Sequence, residues 1–99
     1  IGEFTFVPAT RSLHGADGHT RVLSTVEYAM LAELVTSPNV PISRERLLSV
    51  SHERSESLLA RTVDVAVMRL RKIVEPDPAV PRYIQTVRGH GYMFVPHAR

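Results

Sequence analysis

Arg61, Arg69 and Lys72 fall in residues 60–75, ARTVDVAVMRLRKIVE, with Val65 and Met68 interleaved among them. On a helical wheel of ~100° per residue they share one side, with Arg69 at its edge. Val63, Val67, Leu70 and Val74, at steps of four, three and four, occupy the opposite side. That spacing predicts a helix with one buried stripe and one basic face. A solvated helix face usually mixes signs, yet Asp64 is the sole acid between Arg61 and Lys72. Such a face suits the DNA major groove. Arginine can fork onto guanine O6 and N7, while a small apolar neighbour can touch a thymine methyl. An ordinary amphipathic helix with a basic exterior carries the same pattern, so the residues that follow matter.

After Pro76, Pro78 and Pro81 break the chain, residues 82–88 (RYIQTVR) are rich in β-formers. Gly89-His90-Gly91 turns, and residues 92–95 (YMFV) return. The pattern predicts a two-stranded ribbon over residues 82–95 with Arg88 at its tip. Glycines permit a tight tip that approaches a duplex closely. A guanidinium there is placed for a narrow, A·T-rich minor groove.

Other chemistry fits the chain poorly. His14, His19, His52, His90 and His97 form no i, i+4 pair with an acid between, the spacing a helical metal site requires. Gly89-x-Gly91 lacks the third glycine and following helix of a dinucleotide site. Asp64, set among cations, reads as a structural ion partner rather than a general base. No catalytic residue, cofactor or metal is expected, and the chain is not expected to be an enzyme.

The 99 residues suffice for one domain with a modest core. An apolar content of 43% against 22% charged is that of a soluble globular protein, with no apolar run long enough to span a membrane. The absence of cysteine excludes disulfides and thiolate metal sites, and is compatible with a reducing cytosol. A start at Ile1 suggests a domain of a longer chain. Net charge is only +2, but it is unevenly spread. From Arg61 onward seven Lys or Arg face three acids, a balance of +4; the preceding residues hold five against seven, −2. A basic region on a near-neutral body is the footprint of a polyanion binder. Double-stranded RNA fits less well, because its deep, narrow major groove does not admit a helix.

The elements that must carry these residues can be placed in order. Residues 1–23 form a small antiparallel sheet, with Phe4 and Phe6 on one side of the first strand and Gly15, Asp17 and Gly18 in a turn. Ser24 to Glu27, STVE, is a capping box that starts a first helix over residues 24–37. Its buried stripe is Tyr28, Leu31, Leu34 and Val35. Ser43 caps a short second helix over residues 43–51. Arg44 and Arg46 at its start oppose the helix dipole, a misfit that a nearby phosphate would relieve. Residues 52–56 form a polar loop, and Ser57 caps the long helix over residues 57–75.

RTVDVAVMRLRKIVEPDP followed by PRYIQTVRGHGYMFVP, with LSTVEY and ISRERLL before them, resembles the C-terminal effector domain of OmpR/PhoB-type response regulators. The similarity covers essentially the whole chain and leans towards the OmpR branch. It implies an α+β winged helix-turn-helix fold: an N-terminal four-stranded antiparallel sheet, a three-helix core and a C-terminal hairpin wing. It also implies a bacterial two-component transcription factor with a receiver domain before Ile1, served by a cognate histidine kinase. By position, Thr62, Val65 and Arg69 face base edges. Arg61, Arg71, Lys72, Thr86 and Arg44 contact phosphates, and Arg88 enters the minor groove. The loop with His52, Glu53, Arg54 and Glu56 corresponds to a segment that touches RNA polymerase. Double-stranded DNA with direct-repeat half-sites is the implied partner, bound by two copies head-to-tail, the isolated domain being monomeric. Ala60, Ala66 and Met68 depart from the family pattern, where acidic, polar or basic groups are common, so no target sequence carries over. The alternative is a winged-helix interaction module that docks on RNA polymerase or another regulator, with Val65 and Met68 as an apolar patch rimmed by arginines.

Overall fold

A computed structural model describes residues 1–51 and 60–96, although the side chains of Ser51, Ala60 and Arg61 fall outside that description. Among the described residues, β1 (Phe4–Val7), β2 (Ser12–Gly15) and β3 (Thr20–Val22) precede α1 (Thr25–Thr36). Then come β4 (Ile42–Ser43), α2 (Arg44–Ser51), α3 (Ala60–Val74), β5 (Ile84–Val87) and β6 (Gly91–Phe94). The strands form two antiparallel sheets, ordered β1-β2-β3 and β4-β6-β5.

The first sheet has three strands among the described residues, not the four expected. Val22 ends β3, and two residues later Ser24 already caps α1, so the chain leaves the sheet at once. The Ser24 hydroxyl accepts from the Glu27 amide at 3.1 Å, and the Glu27 carboxylate accepts from the Ser24 amide at 3.0 Å. The next extended pair, Ile42 and Ser43, joins the wing instead: Ile42 lies opposite Tyr92 and Ser43 opposite Gly91. The expected two-stranded ribbon is therefore the outer part of a three-stranded sheet. Gly91 is needed for that pairing and not for the tip, since a Cβ there would run into the Ile42 carbonyl oxygen.

The core sits where the three helices meet the wing. Val63, Val67, Leu70 and Val74 are all buried, as their spacing requires, with Ala66 beside them. Leu47 of α2, Ile84 of β5 and Tyr92 and Phe94 of β6 close on them. In α1 the fully buried residues are Met30, Leu31 and Leu34, while Tyr28 and Val35 are half-buried. The stripe shifts because α1 touches α2, α3 and β6 at once, so no single face is inside. Tyr28 instead holds the first sheet: its ring lies 5.8 Å from that of Phe6 and 5.2 Å under the Arg11 guanidinium. Each fully buried Leu or Val here contributes roughly 1.5–3 kcal/mol of transfer free energy, which fixes the roll of α3 and hence which side it shows to solvent.

Candidate nucleic-acid interface

With its apolar stripe sealed, α3 turns Met68, Arg69 and Lys72 outward, with Thr62 and Val65 half-buried beside them. Among the described residues neither Arg69 nor Lys72 has a hydrogen-bond or ion-pair partner. The backbone of Arg61 lies on the same helix, one turn before Val65. His52, Glu53, Arg54, Glu56 and Ser57 lie outside the described residues.

One flank of α3 is tied down. Asp64 and Arg71, two turns apart, stand on the same edge of the helix. The Arg71 Nε donates to the Ile84 carbonyl at 2.9 Å and its Nη2 to the Thr86 hydroxyl at 2.8 Å, joining α3 to β5. Asp64 accepts from the Arg44 Nε at 2.9 Å and from the Tyr92 hydroxyl at 2.6 Å, joining α3 to α2 and β6. The Tyr92 ring lies between two guanidiniums, Arg44 at 5.6 Å and Arg71 at 5.4 Å. Asp64 thus has the structural ion partner expected of it, and supplies the negative charge that relieves Arg44 at the start of α2. The Ser43 hydroxyl caps that helix by accepting from the Arg46 amide at 3.0 Å.

Burial pushes the Tyr92 hydroxyl pKa up, and its hydrogen bond to the Asp64 carboxylate pushes further. Burial alone would raise the Asp64 pKa, but the hydrogen bonds from Tyr92 and Arg44 outweigh it and hold the carboxyl below its usual range. The same contact with Asp64 raises the Arg44 guanidinium above its ordinary value. The cluster therefore holds a neutral phenol, a carboxylate and two guanidiniums at neutral pH.

Glu75 fixes the entry to the wing. Its buried carboxylate accepts from the amides of Arg82 at 2.7 Å, Tyr83 at 2.9 Å and Ile84 at 2.8 Å. The sequence carried a faint signal of this: an acid at a helix C-terminus opposes the dipole there and wants a partner elsewhere. At the far end of the hairpin, Gly89 adopts a left-handed φ of +74° with open space where a Cβ would stand. The His90 amide closes the turn on the Val87 carbonyl at 2.9 Å.

Arg88 follows Val87, the last residue of β5, two residues beyond Thr86. Arg88 is exposed and has no partner among the described residues. Arg71 and Thr86 thus join one flank of α3 to the strand that leads to the wing tip. The arrangement offers unpaired cations to a polyanion from two elements held at fixed spacing. No helix among the described residues is long and apolar enough to cross a membrane. Nor do the described residues hold a group of three His, Cys, Asp or Glu able to bind a metal.

Residues 18–94 match the family model described as transcriptional regulatory protein, C terminal. The chain is 38% identical over 94 residues to the regulatory protein VirG of Agrobacterium fabrum, an alignment covering 95% of this chain and 37% of VirG. It spans 31–39% of the length of the curated relatives it matches. Among solved structures it is similar to the Klebsiella pneumoniae RstA DNA-binding domain in complex with the RstA box. That match has 36% identity and a TM-score of 0.77, covering 97% of this chain and 94% of that one. It is also similar to the response regulator DrrB, a Thermotoga maritima OmpR/PhoB homolog, with 32% identity and a TM-score of 0.82, covering 96% of this chain and 42% of that one. A winged helix with these relatives over nearly its whole length belongs to the family of transcriptional regulatory protein C-terminal domains, the effector domains of OmpR/PhoB-type response regulators.

Proposed function

We propose that the chain binds double-stranded DNA sequence-specifically and so controls transcription, with α3 in the major groove and Arg88 of the wing in the minor groove. The observation that carries this is the pairing of two surfaces. Arg69 and Lys72 of α3, without partners among the described residues, and the exposed Arg88 belong to two elements that the contact of Arg71 with Ile84 and Thr86 joins. The RstA domain, a relative, is itself found in complex with its box.

In this account Arg69, Val65 and Thr62 face base edges, Arg69 by a bidentate fork onto guanine. Arg61, Lys72 and Thr86 contact phosphates, joined by the guanidinium nitrogens of Arg44 and Arg71 that are not used inside the molecule. Thr86 suits the task because its oxygen already accepts from Arg71, which leaves its hydroxyl proton to donate outward. Phosphate contacts supply most of the affinity and no sequence information.

In the whole protein a receiver domain precedes this one and is addressed by a histidine kinase in the bacterial cytoplasm. Two copies bind head-to-tail on direct-repeat half-sites about one turn apart. The segment holding His52, Glu53, Arg54 and Glu56 meets RNA polymerase, and the isolated domain is a monomer. Binding to a duplex pool over a salt series tests the proposal. The expected result is log affinity falling linearly with log salt, together with enrichment of one sequence on repeated selection. Salt-independent binding, or binding without enrichment, overturns it.

A further inference from the structure

Met68 is 54% exposed, and it stands in the basic face of α3 rather than at the periphery of the molecule. The other large exposed apolar residues among those described, Val22, Val40 and Val80, lie elsewhere in the chain. On the helix Met68 is one turn from Val65 and from Lys72, next to Arg69, and on the side nearer to Asp64 and Arg71, the flank bound to the wing. An exposed thioether so placed has Arg69, Arg71 and Lys72 beside it, while the neighbouring Asp64 is already paired with Arg44, so charge complementarity selects a nucleic acid as what covers it.

Resting on the DNA-binding proposal above, we infer that Met68 is a specificity-determining residue that reads the 5-methyl group of a thymine. Methionine has no donor and only a weak acceptor, so it cannot distinguish bases by their hydrogen-bonding edges. The one apolar feature that unmodified base pairs present in the major groove is the thymine C5-methyl. An unbranched, flexible side chain can follow that methyl without exact registry. Arg69 and Met68 are successive residues that project ~100° apart, so they address different bases. Arg69 reaches towards the Thr62 edge of the helix and Met68 towards the wing. The target thymine therefore lies on the wing side of the guanine taken by Arg69. Met68 thus adds a methyl contact beside the half-buried Val65.

The test begins with a site selected from random DNA by the wild-type domain. Each thymine of that site is then replaced in turn by deoxyuridine, which removes only the methyl, and binding is measured for wild type and Met68→Ala. Met68 is outside the core, so this variant is expected to keep the fold, checked by an unchanged melting temperature. Wild type should lose about threefold to tenfold at one or two thymines. In Met68→Ala the penalty should vanish at a Met68-dependent position and persist at any thymine read by Val65. If every methyl penalty survives in Met68→Ala, or if no thymine is methyl-sensitive, the inference about Met68 fails while DNA binding stands. If no site can be selected, the DNA-binding proposal itself fails.

Discussion

Arg69 and Arg71 stand two residues apart on one helix and carry the same side chain, yet their surroundings assign them different work. The Arg71 guanidinium is engaged by the Ile84 carbonyl and the Thr86 hydroxyl, whereas Arg69 meets solvent with no partner among the described residues. Their difference was half legible in the sequence. A wheel separates the basic face from the apolar stripe, but it does not say which arginine at the edge will find a strand fifteen residues later. Arg69→Ala is expected to cost about 1–3 kcal/mol on a selected site and little on random DNA, measured by fluorescence anisotropy. Equal losses on both would reassign Arg69 to the phosphate backbone. For Arg88→Ala the loss should grow with the A·T content beneath the wing, since a narrow groove concentrates negative potential. A loss indifferent to flanking sequence would remove the minor-groove role.

At the scale of elements, α3 and the wing are held together by two polar devices that periodicity does not reveal. Glu75 gathers three backbone amides ahead of β5, and Tyr92 bridges Asp64 while lying between Arg44 and Arg71. Apolar spacing announces the helix and β-rich composition announces the strands. A carboxylate that serves backbone N–H groups seven to nine residues on has no local signature, and neither does the pairing of β4 with β6. Glu75→Gln should lower stability by about 1–3 kcal/mol in urea denaturation, because one amide oxygen cannot satisfy what two carboxylate oxygens do. No change in midpoint would mean that the wing entry is held by packing alone. The raised Tyr92 pKa has a definite sign. Relative to the unfolded chain the folded state retains the phenolic proton, so stability is full below the ordinary value of 10.0 and declines as pH rises above it. Asp64, whose pKa is lowered, acts at the other end: its contribution is present above the ordinary carboxylate value of 3.8 and is lost as pH falls through the folded pKa. In a melting-temperature profile, Tyr92→Phe should flatten the alkaline limb and also weaken the acid limb, because Asp64 then loses the Tyr92 hydrogen bond that helps to hold its pKa down. An unaltered alkaline limb would show that Tyr92 does not govern it.

For the molecule as a whole, the winged-helix architecture was carried by the spacing of α3 and the ribbon after it, and the N-terminal sheet was overestimated by one strand. The fourth strand was implied by the family resemblance and not by the residues of the sheet itself; Ile42 and Ser43, after α1, pair with β6, where Gly91 leaves room for their backbone. Consequently α2, α3 and the wing share one core, and the contact of Arg71 with Ile84 and Thr86 ties the reading helix to the wing before any partner arrives. Preorganisation of this kind reduces the ordering cost of binding and lets two weak contacts act as one. The measurement closest to this claim is an amide-resonance titration of the domain with a single duplex carrying a selected half-site. Resonances of Met68, Arg69 and Lys72 and those of Arg88 and Gly89 should shift together, with one common midpoint. Shifts confined to one of these two groups, or centred on the β1-β2-β3 sheet, would contradict it.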